Sequence, residues 1–381
     1  MIQSVMTRFL HTADWQIGRQ YGSMTAEDAA ALAEARFQTV ARIAQLASCE
    51  SVDAVLVAGD VFDAQTVADR SIRRLFNALE AFSGPWIMIP GNHDAALSES
   101  VWTRAERLQA IPRNVHCILK PGIVDFSPLG FMLLAAPLTQ RHTYSDLTEW
   151  FDSAETPDQI LRIGIAHGGV QGILSDGVEA TNPIAPQRAS SAHLDYLALG
   201  DWHGTKQIDA RTWYAGTPEP DRFRNNDAGN ILLVEISQPS AEVQVLRRSV
   251  GAFNWRKEIL HLSVSSDLDH LTEILQSCGN QDVLQLDLSG EVDLAGEQLL
   301  QLALGAAEGR LRSIIVDRTE LRLLPTEEDI AALHADGYLG EVIAELRNRQ
   351  QGESDVVARE AMAILATLLT ERSTSGTAAC S

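Results

Sequence analysis

The chain has 381 residues, of which 45% are hydrophobic, so it is long enough for two domains and can bury a sizeable core. Acidic residues outnumber basic ones by 51 to 30, and the net charge of −21 argues against binding nucleic acid through the field of the whole protein. A local basic groove, a phosphate site built on metal ions and a basic partner all stay open. No apolar run reaches the length of about 18 residues that a membrane helix needs, and the four cysteines are scattered. We therefore expect a cytoplasmic protein with free thiols and no membrane contact.

The first part of the chain, residues 1–250, repeats short apolar runs that end in polar or glycine-rich turns. The runs cover residues 7–10, 54–59, 85–90, 131–137, 162–168, 196–200, 212–216 and 230–236. Because these runs are continuously apolar rather than alternating, they predict strands that are covered on both faces. Apolar residues at helical spacing predict helices over 24–50 and 67–82. We therefore expect a layered α/β domain, an αββα sandwich in which two sheets pack together between helices.

From about residue 255 the pattern changes, and three β-rich runs alternate with two helical segments up to residue 325. This order predicts a small α/β domain of βαβαβ type. Residues 326–372 are helical in pattern and carry two apolar stripes. The first comprises Leu339, Val342, Ile343 and Leu346, and the second comprises Val357, Ala361, Ile364, Leu365 and Leu368. They predict a C-terminal helical pair that binds a partner or packs onto the small domain, followed by a disordered tail over 373–381.

Five polar stretches each follow an apolar run. They are "HTADWQ" with Asp14, "AGDVFD" with Asp60, "PGNHD" with Asn92 and His93, "IAHGG" with His167, and "LGDWHG" with Asp201 and His203. Ligands of α/β sheets gather outside the carboxyl ends of the strands, so we expect these side chains to lie near one another. Their oxygen and imidazole donors suit divalent ions of the Mn, Fe or Zn kind. One such dipeptide alone would be an ordinary turn, but five in one order predict a metal centre.

This ordered set of motifs resembles the calcineurin-like metallophosphoesterases, whose pattern is D-x-H, G-D, G-N-H-D, H and G-H-x-H. Within that family it is similar to the DNA-repair exonuclease branch, the SbcD-type nuclease subunits that work with an SMC-like ATPase. The stretches "GDVFD", "PGNHD", "ALGDWHG" and "WYAGTPEP" carry this likeness, which covers about residues 7–225 and extends loosely to about residue 370. It implies a nuclease domain over 1–250, a capping domain that positions DNA over 255–325, and helices over 326–372 that bind the coiled-coil ATPase.

The resemblance also implies a chemistry, namely hydrolysis of phosphodiester bonds in DNA by a hydroxide that bridges two divalent ions. Mn²⁺ is the first choice, with Mg²⁺ or Fe²⁺ as alternatives. Carried over by position, one ion takes Asp14, Gln16, Asp60 and His203, and the other takes Asp60, Asn92, His167 and Asp201. His93 then becomes the acid or the transition-state stabiliser.

Two positions depart from the family pattern. Gln16 stands where the D-x-H motif has its histidine, and it offers only a neutral amide oxygen, so we expect one weak corner in the first metal site. Asp201 stands where G-H-x-H has its first histidine, and its carboxylate favours harder ions such as Mn²⁺ or Mg²⁺. Three further residues are candidates for orienting the ligands, and each is explained as well by a strand end or a turn: His11, Asp63 and Asp94.

Three functions stay open at this point. The first is a DNA phosphodiesterase that pairs with a coiled-coil ATPase and forms a homodimer through residues 67–82 and 98–109. The second is a stand-alone phosphoesterase acting on small phosphodiesters or phosphoproteins, which the acidic charge supports. The third is a catalytically weakened scaffold, which the changes at Gln16 and Asp201 support, although Asp60 and His93 are both present.

Overall fold

The computed structural model describes residues 6–173, 181–324, 326, 338–349, 357–358, 361–362 and 364–365. The chain divides into two compact units, residues 1–254 and 255–381. Among the described residues, no helix is long and apolar enough to cross a membrane.

The first unit contains strands β1 to β14 and helices α1 to α4. The strands are β1 (Thr7–Thr12), β2 (Ala54–Ala58), β3 (Trp86–Ile89), β4 (Val115–Cys117), β5 (Gly122–Phe126), β6 (Phe131–Ala136), β7 (Leu161–His167), β8 (Gly169–Val170), β9 (Pro183–Ile184), β10 (Tyr196–Gly200), β11 (Lys206–Gln207), β12 (Thr212–Tyr214), β13 (Asn230–Ile236) and β14 (Gln244–Ser249). The helices are α1 (Ala26–Cys49), α2 (Asp69–Ala78), α3 (Val101–Arg107) and α4 (Arg188–Ser191), with 3₁₀ turns at Ser127–Leu129 and Glu149–Ser153.

Two six-stranded sheets organise this unit. The first has the order β14-β13-β1-β2-β3-β4 and the second the order β11-β12-β10-β7-β6-β5. In the first sheet β1, β2, β3 and β4 run parallel, and in the second β12, β10, β7 and β6 run parallel. Because parallel strands end at the same edge of their sheet, each sheet gathers the residues that follow its strands along one edge.

The main core lies between the two sheets, where Phe9 and Leu56 of the first sheet join Leu133 and Ile163 of the second. The other face of the first sheet is covered by α1, α2 and α3. The other face of the second sheet is covered by α4 and the turn at Glu149–Ser153. The predicted αββα sandwich is therefore confirmed.

The two predicted helices of the first unit are present but shorter than expected. Helix α1 begins after Thr25, whose hydroxyl accepts a hydrogen bond from the Asp28 amide at 3.2 Å, an ordinary N-cap. Helix α2 ends at Ala78 rather than at residue 82. The reason is that the amides of Glu80 and Phe82 bond three residues back, at 3.3 and 3.1 Å, and so close turns instead of a helical ladder.

All eight apolar runs form strands, whereas the short β4, β8, β9 and β11 and the edge strands β5 and β14 were not predicted. Strand β5 alternates between partly buried and exposed residues, and most of β14 is exposed at the edge of its sheet. The search for continuous apolar runs misses such edge strands, because only one of their faces is covered.

The second unit contains β15 (Asn254–Leu262), α5 (Ser265–Ser277), β16 (Asp282–Val292), α6 (Leu294–Glu308) and β17 (Ser313–Leu323), in the predicted βαβαβ order. The three strands form one sheet of order β15-β16-β17, with β16 and β17 parallel. Leu271 and Leu275 of α5 and Leu300 of α6 pack against Leu284 and Leu286 of the sheet. The segment predicted as a capping domain therefore has a small core of its own.

The C-terminal region is described in part. Helix α7 (Tyr338–Arg349) buries Ile343, as the first apolar stripe predicts. The second predicted stripe is wrong about which residues are buried. Its members Val357 and Ile364 are 71% and 61% exposed, whereas Ala358 and Met362 are buried. The described residues of this segment, 357–358, 361–362 and 364–365, are helical. Ala358 and Met362 each stand one residue after a member of the predicted stripe, Val357 and Ala361, so the buried positions are shifted by one residue from the prediction. The expected disordered tail, 373–381, lies outside the described residues.

Candidate metal centre

Five of the predicted ligands lie at or just after the ends of neighbouring strands in the two sheets. Asp14, Asp60 and Asn92 follow β1, β2 and β3 of the first sheet, and His167 and Asp201 lie at the ends of β7 and β10 of the second. The main-chain N–H of Asp201 donates to the Asp14 carboxylate at 3.1 and 3.2 Å, which joins the two edges directly. The sandwich thus brings together residues that are far apart in the chain.

Three buried side chains form the nucleus of the site. Asp14, Asp60 and His167 each offer a ligand atom, and these atoms all lie within 4.8 Å of one another. Burial raises the pKa of the Asp14 carboxyl to about 6. Burial lowers the pKa of His167, but the Asp60, Asp14 and Asp201 carboxylates outweigh it and raise that pKa to about 9. Such a concentration of buried negative charge calls for a cation between the groups.

Two buried atoms at this site have no hydrogen-bond partner, Nε2 of His167 and Oδ1 of Asn92. The Nδ1–H of His167 donates to the Ala58 carbonyl at 2.8 Å, so in the neutral ring, the form that binds a cation, the proton is on Nδ1 and Nε2 carries the lone pair. That Nε2 lies 3.6 Å from Oδ1 of Asp60 and 3.7 Å from Oδ1 of Asp201, too far for hydrogen bonds. Buried polar atoms are nearly always satisfied, so these two are explained best as donors to a metal ion.

The backbone around the ligands is unusual. Four of the predicted ligands have positive φ angles: Asp14 at 53°, Gln16 at 51°, Asp60 at 52° and Asp201 at 101°. A residue with a side chain rarely takes this conformation, which costs on the order of 1–3 kcal/mol each. Hydrogen bonds from the amides of Asp14 and Gln16 to the carbonyls of Gly59 and Asp60, at 3.0 and 2.9 Å, hold the two loops in this shape.

Glycines make room for the ligands at three places. A Cβ on Gly91 would lie 2.2 Å from Oδ1 of Asp60 and 2.7 Å from Cε1 of His167. A Cβ on Gly59 would lie 2.3 Å from Nδ1 of His167, and one on Gly200 would lie 2.8 Å from the same atom. The loops therefore close around the site more tightly than any side chain would permit.

His93, the predicted acid, lies at the mouth of the site with its side chain 44% exposed. Its Nδ1–H donates to the main-chain carbonyl of Asp63 at 2.8 Å, which leaves Nε2 directed inward, 3.9 Å from Oδ2 of Asp60. The main-chain N–H of His93 also donates to Oδ1 of Asp60 at 2.9 Å. Asp63 thus orients this ring through its backbone, as one of the three candidate orienting residues.

Gln16 is buried beside Asp60, but with its amide nitrogen toward the carboxylate. Its Nε2 donates to Oδ2 of Asp60 at 2.9 Å, and its Oε1 faces Nη1 of Arg19 at 3.5 Å. The residue is therefore in the predicted place, and the atom that faces the metal centre is a hydrogen-bond donor.

His203 is oriented by Asp221, a residue that the motifs did not single out. Its Nδ1 lies 3.2 Å from a carboxylate oxygen of Asp221 and 3.1 Å from Nη2 of Arg222. In the tautomer with the proton on Nδ1, the ring donates to Asp221 and Nε2 is free to bind a cation. Burial alone would raise the pKa of Asp221, but the His203 ring and the Arg222 guanidinium hold it well below its usual range. Asp221 directly follows "WYAGTPEP", a stretch that carries only a family likeness in the sequence. Two closely spaced acids, Glu219 and Asp221, both buried in the structure, were the signal that sequence reasoning could have used.

The other two candidate orienting residues, Asp94 and His11, connect the loops and sheets around the site. Asp94 is buried and accepts hydrogen bonds from the amides of Gly91 and Phe62, at 2.7 and 3.1 Å, so it ties the loops after β2 and β3 together. Burial raises its pKa to about 7. His11 uses both ring nitrogens between the sheets, on the Tyr196 hydroxyl at 2.9 Å and the Leu199 carbonyl at 3.2 Å.

The two carboxylates and one imidazole that converge here are a donor set that fits a divalent cation. The sequence profile of the calcineurin-like phosphoesterases matches residues 7–231, more than half of the chain. The chain belongs to the calcineurin-like phosphoesterase family. The predicted family and the predicted class of enzyme, a phosphoester hydrolase, are thereby confirmed.

Several curated relatives of this phosphoesterase are known. It is 40% identical over 135 residues to SbcD, a component of the nuclease SbcCD of Rhodobacter capsulatus, and the match covers 33% of this chain and 29% of the relative. It is 26% identical over 347 residues to the DNA double-strand break repair protein Mre11 of Methanosarcina acetivorans, covering 84% and 52%. It is 24% identical over 290 residues to the uncharacterized metallophosphoesterase YhaO of Bacillus subtilis, covering 70% and 66%. The chain thus spans less than two thirds of the length of each of these relatives.

Proposed function

We propose that this phosphoesterase is a metal-dependent DNA phosphodiesterase, an exo/endonuclease subunit that works with an SMC-like coiled-coil ATPase in DNA repair. One observation carries the proposal: ligand atoms of Asp14, Asp60 and His167 lie within 4.8 Å of one another, and Nε2 of His167 and Oδ1 of Asn92 are buried without a hydrogen-bond partner. The names of the relatives, a nuclease component and a double-strand break repair protein, supply the substrate.

In this proposal two divalent ions, with Mn²⁺ as the first choice, are surrounded by seven residues. These are Asp14, Gln16, Asp60, Asn92, His167, Asp201 and His203. When bound, such a pair of ions supplies an activated water and neutralises charge on the phosphate oxygens. The protein's part is to hold the donors rigidly. Asp60 does so by accepting hydrogen bonds from Gln16 and from the His93 amide, and His203 by donating to Asp221.

His93 is the proposed acid. Because the carbonyl of Asp63 can only accept, Nδ1 of His93 keeps its proton and the inward Nε2 is the atom that exchanges one. A protonated Nε2 at the mouth of the site would donate to the departing oxygen of the cleaved phosphodiester and stabilise its charge. The 44% exposure of the ring leaves it open to a substrate and to proton exchange with water.

The net charge of −21 means that DNA has to be held locally rather than by the whole surface. We assign this role to the second unit and to the partner. Val357 and Ile364 support a docking face for a coiled coil, because both are helical in conformation, mostly exposed and seven residues apart in the sequence. The cytoplasmic location stays a prediction, and so does a homodimer through α2 and α3, which sedimentation would test.

The test uses end-labelled single- and double-stranded DNA with Mn²⁺, with and without the ATPase. We expect cleavage by the wild type that stops on chelation. We also expect His93→Gln to be slower by about 10²–10⁴-fold with unchanged Mn²⁺ binding. His116→Gln, which changes an exposed histidine of β4, is the matched control and should cleave as the wild type does. Equal loss of metal and activity in His93→Gln would show that the assigned role is wrong.

The second candidate is a stand-alone phosphoesterase on small phosphodiesters. The acidic charge favours it, and so does the similarity to YhaO over 70% of this chain. Hydrolysis of bis-p-nitrophenyl phosphate without any cleavage of DNA, even with the ATPase present, would favour this function. Mn²⁺ binding without hydrolysis of either substrate would indicate the scaffold.

A further inference from the structure

The Gln16 amide is held from two sides. Its nitrogen donates to Oδ2 of Asp60 at 2.9 Å and its oxygen faces Nη1 of Arg19 at 3.5 Å. Gln16 is fully buried, so the amide has no water to turn toward. Its orientation therefore follows from the chemistry of these two neighbours.

That chemistry permits one orientation. A guanidinium only donates hydrogen bonds, so the Gln16 atom that faces Arg19 has to be the oxygen. An ionised carboxylate only accepts, so the atom that faces Asp60 has to be the NH₂ group. Turning the amide over would set N–H against guanidinium and oxygen against carboxylate, two repulsive contacts in a buried place.

Arg19 itself is fixed. Its guanidinium lies 3.3 Å from Oδ1 of Asp63 and 3.3 Å from Oδ2 of Asp221. The same Asp221 orients His203, and the main chain of Asp63 orients His93. Arg19 is thus anchored to both loops that position these histidines, and it cannot swing away without breaking two ion pairs.

We propose that Arg19 is a positioning residue that keeps the Gln16 oxygen away from the metal centre, so that Gln16 is a hydrogen-bond donor to Asp60 and not a metal ligand. The inference rests on the metal centre of the proposed function. It replaces the sequence expectation of a weak amide ligand. The ion position shared by Asp14, Asp60 and His203 then has three protein ligands and the weaker affinity, and the position that includes His167 and Asn92 fills first.

The test is Mn²⁺ titration by calorimetry, with electron paramagnetic resonance to distinguish a single ion from a coupled pair. Wild type should bind one ion tightly and a second at least about 10-fold more weakly. Gln16→Met keeps the length of the side chain and removes its polar atoms, and both affinities should persist or tighten. Gln16→His supplies an imidazole and should tighten the weaker ion by about 10- to 100-fold, with a stronger coupled signal.

The role of Arg19 has its own variants. Arg19→Met frees the amide to turn and should tighten the weaker ion several-fold, whereas Arg19→Lys keeps a donor-only cation and should behave as wild type. Arg74→Met, which breaks an ion pair between α1 and α2, is the matched control and should change nothing in metal binding.

Two results would overturn the proposal. One is a 10-fold or greater loss of the weaker ion in Gln16→Met, as a ligand requires. The other is Arg19→Met binding unchanged from wild type. A protein that binds Mn²⁺ normally but cleaves no DNA would refute the nuclease function and leave this inference standing. A protein that binds no Mn²⁺ would refute both.

Discussion

Gly91 stands where one methyl group would meet two of the centre's side chains. Its added Cβ would fall 2.2 Å from Oδ1 of Asp60 and 2.7 Å from Cε1 of His167, and neither neighbour can retreat in a buried site. We expect Gly91→Ala to weaken Mn²⁺ binding by about 10- to 100-fold, because it displaces both donors. Gly122→Ala, with nothing within 4 Å of the added Cβ, is the control. Calorimetry that finds equal affinities for the two variants would contradict this packing.

His11 makes the protein sensitive to acid. Burial lowers its pKa from 6.5 to about 3, against the Leu199 carbonyl, which raises it. Between these two values the unfolded chain binds a proton that the folded chain does not, so stability falls as the pH is lowered through this window. His11→Gln should reduce the dependence of unfolding free energy on pH by up to about 1.4 kcal/mol per pH unit. Urea unfolding of metal-free protein at pH 7.5 and 5, with His116→Gln as control, measures this. A slope equal to wild type would contradict it.

The sequence was largely enough to predict which side chains form the metal centre, but not how those side chains are oriented. Asp14, Asp60 and His167 follow apolar runs, and strand ends of parallel sheets meet, so the residue types were enough to place them together. The direction of the Gln16 amide depends on Arg19, which in turn depends on Asp221, some 200 residues along the chain. Contacts of that kind arise only from tertiary structure, and no local pattern reports them.

At the scale of elements, the predictions were good where a single physical cause dominates. Buried parallel strands such as β2 and β7 are continuous apolar runs because both of their faces are covered. Edge strands such as β14 have one covered face and mostly exposed residues, so their sequence resembles a loop. The two-stranded β8 and β9 pairing is too short to leave any periodic signal.

Val357 and Ile364 should belong to the docking surface for the proposed ATPase. Both side chains are mostly exposed, whereas Ala358 and Met362 are buried. We expect the double variant Val357→Glu, Ile364→Glu to remain folded and to cleave small phosphodiesters, but to lose association with the coiled coil. Tyr144→Ser, which removes an 80% exposed aromatic of the first unit, is the control. Co-purification of the double variant with the ATPase at wild-type yield would rule this face out.

At the scale of the whole molecule, three polar contacts join the two large sheets at the edge that carries the metal centre. There His11 reaches Leu199, His167 reaches Ala58, and the Asp201 amide reaches Asp14, each pairing a group near the end of one sheet with one near the end of the other. Deeper between the sheets the contacts are apolar, as with Phe9 and Ile163. Apolar packing therefore holds the two sheets together in the interior, and these hydrogen bonds connect them at the edge that carries the metal centre.

A cation bound at that edge would link the two sheets, because its ligands come from both. Asp14 and Asp60 follow strands of one sheet and Asp201 follows a strand of the other, so withdrawal of the ion leaves carboxylates facing each other across the join. By mass action, free metal at 100 times its dissociation constant adds about 2.7 kcal/mol to the folded state. Scanning calorimetry should show a melting temperature that rises with added Mn²⁺ and falls on chelation. The melting temperature of the Asp60→Asn variant should not respond to Mn²⁺. A wild-type melting temperature that does not change with Mn²⁺ would mean that no ion connects the two sheets. The folded population of this protein would then follow the supply of the metal that it needs to act.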